Sequence, residues 1–147
     1  MIKFIKKFTD EPLIDLSRMI KINNEFYLVG DELKKIQKKI NKPASFIGVY
    51  LGKKDRPSLY LLNLLAKNSE NKVWLDVKGA WLFICGRDIF GGSLVKKSGS
   101  FERNDLVLVM NRYDECLGFG RVVNSFSTKK VVVKNEFDIG DFLRRER

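Results

Sequence analysis

The sequence predicts an α+β protein: an N-terminal α/β unit with an antiparallel sheet over residues 1–70, then a small β-barrel-like unit over residues 71–147. Three observations predict it. Residues 19–66 mix β-prone runs with stretches of helical apolar spacing, whereas the later residues form short β-prone runs separated by glycines. The hexapeptide Lys67-Asn-Ser-Glu-Asn-Lys72 is polar and turn-prone between two apolar segments, which makes it the boundary. A chain of 147 residues divided this way has two thin cores, so a shared apolar interface is expected.

In the first unit, Met19–Ile22 and Glu25–Val29 flank Asn23-Asn24, and asparagine tolerates the positive φ of a tight hairpin turn. Gly30 ends that hairpin. Asp31 then caps a helix reaching Ile40, with Leu33, Ile36 and Ile40 on one face and Lys34, Lys35, Lys38 and Lys39 on the rest. Acid at its start and lysines at its end suit the helix dipole. Asn41-Lys42-Pro43 stops it. Phe46–Leu51 reads as a strand and Gly52–Pro57 as a charged turn. Ser58–Ala66 begins strand-like and turns helical through its leucines.

In the second unit, Val73–Leu75 is a strand and Gly79–Ile84 a short buried helix closed by Gly86 at the position after its C-cap. Further strands are expected at Leu94-Val95, Leu106–Met110, Gly118–Val123 and Val131–Val133. A closing helix spans Asp138–Arg145, with Asp138 as its cap and Ile139, Phe142 and Leu143 on one face. Phe26, Phe46, Trp74 and Phe83 fall in apolar periodic positions and are expected in the cores.

Twenty-eight Lys and Arg against eighteen Asp and Glu leave a formal charge of +10 and a pI near 9.7. The excess is +6 over residues 1–70 and +4 over residues 71–147, so it is not a tail. Such a surface attracts polyanions by steering and counterion release, with solubility as the competing explanation. No apolar run approaches the roughly 20 residues of a membrane span. The opening Met1–Phe8 interleaves lysines with apolar residues and lacks a signal-peptide core, so a cytoplasmic protein with no membrane role is expected.

No histidine is present, which removes the usual acid-base group and metal ligand near neutral pH. Cys85 and Cys116 cannot build a structural zinc site by themselves, and their apolar neighbours predict buried free thiols. The stretch Gly86–Val95 carries glycines but neither GxxxxGK[ST] nor GxGxxG. Ser93, Ser98 and Ser100 have no base and no G-x-S-x-G elbow. The pairs Asp114-Glu115 and Asp138 with Asp141 read as solvated or capping groups. The expectation is a non-enzyme without cofactor or metal.

Basic residues cluster in three places. The lysines at 34, 35, 38, 39 and 42 read as a solvated helix surface. Lys96-Lys97 follow the glycine turn. Lys129, Lys130 and Lys134 flank the last strand, and Arg144, Arg145 and Arg147 end the chain. The expected phosphate contacts are Lys129, Lys130, Lys134, Arg144 and Arg145, with Lys96, Lys97 and Arg121. Three arginines in four residues exceed what a helix dipole requires.

The second half resembles a PUA domain, through Val77-Lys-Gly-Ala80, Cys85-Gly-Arg-Asp-Ile89, Phe101-x-x-x-Asp105-Leu-Val-Leu-Val109 and Leu117-Gly-Phe-Gly120. A longer set resembles the Nip-seven family of large-subunit ribosome-biogenesis factors: Phe26–Val29, Ser45–Gly52, Lys72-Val-Trp-Leu75 and the ending Asp138-Ile-Gly-Asp-Phe-Leu-Arg144. The resemblance covers residues 19–147, in order, and departs at the front, where this chain is shorter than eukaryotic members. It implies an N-terminal α/β domain followed by an RNA-binding PUA domain. It also implies a role in pre-ribosomal RNA processing and large-subunit assembly, with other assembly factors or the exosome as partners, in an archaeal cell. The expected function is non-catalytic binding of single-stranded or pre-ribosomal RNA. The alternatives are a protein-interaction adaptor and an RNA-targeting subunit of a modification or exosome complex.

Overall fold

Phe4, Ile5 and Phe8 repeat at the spacing of a helical turn, and the chain opens with one, α1 (Ile2–Ile5), which buries Phe4 and Ile5. Phe8 packs edge-on against Phe4, ring centroids 5.3 Å apart. The computed structural model describes residues 1–40, 42 and 44–145, the side chains of Leu143 and Arg145 excepted. The chain folds as two units, Met1–Leu65 and Ala66–Arg147.

Asn23 and Asn24 both take positive φ (47° and 67°), the signature of a type I′ turn. They join β1 (Met19–Ile22) to β2 (Glu25–Leu28) in the antiparallel register Met19↔Leu28 to Ile22↔Glu25. Next comes α2 (Asp31–Ile40). Two further strands, β3 (Val49–Lys53) and β4 (Arg56–Pro57), complete a four-stranded sheet of order β1-β2-β3-β4. The charged turn therefore contains a short strand. Ser58 starts α3 (Leu59–Asn68) by accepting the Leu61 amide on its hydroxyl (3.2 Å), and the whole segment is helical.

One expectation in this unit fails, at Phe46, and the apolar face of α2 lies open to solvent. Leu33, Ile36 and Ile40 do not face a core; they are 42%, 51% and 58% exposed. Polar contacts attach the helix instead: Arg18 pairs with Asp31 at 3.0 Å and the Lys34 ammonium donates to the Ser17 carbonyl. Phe46 is 77% exposed, because Gly48 (φ +72°) interrupts the extended chain and β3 begins three residues after the ring. Of the helix-stopping tripeptide, Asn41 and Pro43 lie outside the described residues.

The second unit is a six-stranded sheet that curls into a half-barrel. Its elements are β5 (Lys72–Leu75), α4 (Val77–Ile84), β6 (Ile89–Phe90), β7 (Leu94–Ser98), β8 (Leu106–Met110), β9 (Cys116–Val122), β10 (Val131–Asp138) and α5 (Asp141–Arg145). The order is β6-β10-β9-β8-β5-β7, with β5 and β8 parallel and the other pairs antiparallel. The core gathers Val73, Leu75, Val107, Val109, Val132 and Val133 from the strands around Phe83 of α4. On the other face, Leu108 stands opposite Phe119, and Phe119 opposite Phe137, the two rings stacked at 5.8 Å. Both faces of β8 are thus apolar and buried, which explains its unbroken Leu-Val-Leu-Val-Met run.

Asp76 caps α4 by accepting the Gly79 amide at 2.6 Å. Gly86 closes it at φ +86°, with Arg87 N donating to Leu82 O and Gly86 N to Phe83 O, a Schellman motif where the sequence places one. Phe83 is fully buried; Phe26 and Trp74 are half-buried.

The end of the chain departs most from expectation. β10 runs eight residues to Asp138, and α5 starts only at Asp141. Asp138 is no helix cap: it is 1% exposed and takes both guanidinium nitrogens of Arg144, at 3.0 and 2.7 Å. The Asp138 carboxylate holds that guanidinium above its ordinary range. Arg144 also donates to Ile84 O at 2.5 Å, and Asn135 donates to Phe83 O at 2.8 Å and Asp138 at 3.1 Å. Arg144 therefore ties α5 to β10 and to the end of α4, with its side chain still 40% exposed.

The two thiols differ in a way the sequence did not suggest. Cys116 is buried, and burial pushes its thiol up to about 11. Cys85 is exposed, one helical turn beyond the exposed Trp81. At pH 8 only about a thousandth of Cys116 is thiolate, so an aromatic disulfide reagent should titrate one thiol per folded chain and the second only in denaturant. Two thiols of equal rate in the folded state would contradict the burial of Cys116. Arg144→Ala should lower unfolding free energy by about 3 kcal/mol, since it strips a buried carboxylate of its charged partner. Arg144→Lys should recover only part, lacking the planar fork. A urea midpoint equal to that of the unaltered chain would refute this.

Candidate nucleic-acid interface

The segment between β9 and β10, residues 123–130, is rich in serine and lysine and is held by its own hydrogen bonds. Asn124 Nδ2 donates to Val131 O (2.8 Å), Ser125 and Ser127 share a hydroxyl contact (2.8 Å), and Thr128 Oγ1 donates to Ser125 O (3.1 Å). Gly91 fastens its far end: Gly91 N donates to Lys130 O at 3.1 Å. A Cβ on Gly91 would stand 1.9 Å from Thr128 O, so only glycine allows this approach.

This anchoring presents Lys129 and Lys130, both exposed, beside the edge strand β6. Val131 pairs with Phe90, whose ring is 53% exposed, so the lysine pair enters the sheet next to a solvent-facing aromatic residue. At the other end of the same segment, Phe126 meets Phe101 edge-to-face, centroids 5.1 Å apart. The Lys97 ammonium sits 6.0 Å from the Phe101 centroid and 5.7 Å from that of Phe126. Lys97, Lys129 and Lys130 thus converge on one short, pinned connection.

The other expected contacts do not. Lys96 follows the alternation of β7 to the opposite face, where its ammonium lies 4.5 Å over the ring of Trp74; that indole donates to Asp114 at 2.7 Å. Lys134 is exposed and stands across from Arg121. Arg121 is engaged by Glu136 (2.7 Å) and by Asn104 O (2.8 Å), so its charge is neutralised in place. Arg144 is held by Asp138, and the Arg145 side chain and Arg147 lie outside the described residues. On α2, Lys35 pairs with Glu32 at 2.9 Å.

Two exposed residues beside this connection were not singled out by sequence reasoning. Arg103, exposed, follows Phe101 by two residues in a turn that Asn104 (φ +79°) and the Glu102 N to Asp105 contact (2.7 Å) shape. Its sign was an aromatic and a cation in one loop just after Gly99. Phe90 escaped because it follows the buried Ile89 in an apolar pair, and only the edge position of β6 turns its ring outward.

Residues 71–147, just over half the chain, match the UPF0113 PUA domain family. A UPF0113 protein of Archaeoglobus fulgidus is 39% identical over 103 residues, which is 66% of this chain and 59% of that protein; the chain thus spans less than two thirds of that relative. Two solved structures share the fold. A conserved PUA domain protein from Thermoplasma acidophilum superposes with a TM-score of 0.54 at 22% identity, covering 68% of this chain and 66% of its own. A PUA domain from Aeropyrum pernix K1 gives 0.53 at 20% identity, covering 59% and 53%. The match over its second unit makes this chain a member of the UPF0113 PUA domain family.

Proposed function

We propose that the protein binds single-stranded RNA through its PUA domain, without catalysis, and that its target is pre-ribosomal RNA during large-subunit assembly in an archaeal cytoplasm. The observation that carries the RNA reading is the pinned 123–130 connection, which sets Lys129 and Lys130 beside Phe90 and Phe126 beside Lys97. Exposed cations interleaved with aromatic rings serve both parts of a single strand, its phosphates and its unstacked bases. The absence of histidine and of any activated serine supports a binding role. The ribosomal assignment rests on the Nip-seven-like motifs over residues 19–147, and it names assembly factors or the exosome as partners.

A second reading, a protein-interaction adaptor, is favoured by the exposed Leu33, Ile36 and Ile40 stripe on α2. Complementation in a deletion strain separates the two. Loss of growth with Lys129→Ala/Lys130→Ala supports RNA binding, and loss only with Ile36→Asp supports the adaptor.

Four cations on or near the connection, Lys97, Arg103, Lys129 and Lys130, predict a log–log salt slope of about −3 for a single strand, at roughly −0.7 per contact. Lys129→Ala with Lys130→Ala should weaken binding at least tenfold, about 1.4 kcal/mol. Neutralising Lys38 and Lys39 should cost less than threefold, through the long-range field alone. Filter binding across a salt series measures all three. A slope near zero, or a larger loss from the α2 lysines, would move the site off this domain. Crosslinking in cells and sequencing of bound RNA tests the ribosomal target: recovery of messenger RNA in place of ribosomal precursors would reject it.

A further inference from the structure

Between the turn 101–105 and the connection 123–127 lies an open groove of about 610 Å³, within the range of small-ligand sites. Phe101 and Phe126 line it, half-buried against the core, with Lys97, Arg103, Asn124 and a single acid, Glu102. Both walls are fixed by hydrogen bonds. Asn104 N donates to Val122 O (2.8 Å), Val122 N to Asp105 O (2.9 Å), and Asn124 Nδ2 to Val131 O (2.8 Å). A preformed groove costs little to order when a ligand enters.

We propose that this groove holds one unstacked base of a single-stranded RNA, packed on the Phe101–Phe126 pair, with its flanking phosphates on Lys97 and Arg103. The proposal rests on the RNA-binding reading above and adds to it a place for a base. Aromatic rings offer a π-face that every base shares, so such a site holds a base with little regard to sequence. Lys97 already lies 5.7 Å from the Phe126 centroid, placing an ammonium at the groove where a phosphate would follow a stacked base. Arg103 is exposed and has no ion pair among the described residues. Asn124 and the hydroxyls of Ser125 and Ser127 border the groove and supply donors and acceptors for a base edge. A duplex keeps its bases stacked and has none to give.

The test compares, on the full chain, an oligoadenylate decamer with an abasic ribose-phosphate decamer of equal charge. The chain should bind the oligoadenylate at least tenfold tighter. Phe126→Leu, which keeps apolar volume and removes the ring, should cut that preference below threefold with the salt slope unchanged. Arg103→Gln should weaken both oligomers alike and flatten the slope by about 0.7. Equal binding of both decamers by the unaltered chain overturns this proposal and leaves RNA binding standing; binding of neither overturns the RNA-binding reading itself. Should Phe126→Leu fail to fold, a 4-thiouridine decamer irradiated on the unaltered chain decides. Crosslinks on the peptides bearing Phe101 or Phe126 support the groove, and crosslinks confined to other peptides reject it.

Discussion

The second unit depends on a carboxylate that is almost out of water. Asp138 is 1% exposed, and a buried carboxylate without a cation costs several kcal/mol. Arg144 meets it with two hydrogen bonds, a planar fork on a planar acceptor. Reaching Arg144 requires the chain to turn at Gly140, where a Cβ would stand 2.0 Å from Ile84 O, and to form α5. Asn135 fills out the group, donating to Asp138 and to Phe83 O while its own backbone amide donates to Asp88 at 2.9 Å. The end of α4, the last strand and the final helix are consequently one polar assembly. β10 pairs with both β6 and β9, and its register against β9 shifts between Asn135 and Phe137, within this assembly.

This has an electrostatic consequence for any polyanion. A net charge of +10 suggests many available cations, yet several are committed to the fold. Arg144 belongs to Asp138, Arg121 to Glu136 and Arg18 to Asp31. Arginine, with its fork, takes the structural pairs, whereas the exposed cations at the 123–130 connection are lysines. Lysine suits that place, because a compact ammonium meets phosphates in many orientations and imposes no base sequence. Binding that releases counterions needs cations not already matched to carboxylates.

What was legible in the sequence was local. The Asn23-Asn24 hairpin, the α2 limits, the Gly86 cap and the β8 run each follow from a few neighbouring residues and their backbone preferences. What was not legible depended on partners distant in sequence. Asp138 followed by Ile139, Phe142 and Leu143 satisfies every local rule for a capped amphipathic helix, and only the proximity of Arg144 to the end of α4, sixty residues earlier, makes it a strand end. The same limit applies to Arg121, whose neutraliser lies fifteen residues away on the adjacent strand, and to Cys85, whose apolar neighbours hide its position at a helix end. Counting charges along the chain found Lys97, Lys129 and Lys130, but it could not separate them from Lys96, because strand alternation sends adjacent lysines to opposite faces.

On the RNA-binding reading proposed above, the connection 123–130 serves as a surface because it is not free. A serine- and lysine-rich loop of that length, if unconstrained, would lose the entropy of several rotamer-rich side chains on meeting RNA. Here much of the backbone entropy is already lost on folding. The Gly91 amide, the Asn124 side-chain amide and the serine hydroxyls fix the backbone, and Phe126 anchors it to the core beside Phe101. The exposed lysine stems keep their rotamers, which lets the ammonium groups follow a flexible phosphate chain. Rigid rings and tethered backbone with flexible cations divide the task in the proportion that a single strand demands. The bases need a surface that does not move, and the phosphates need one that does.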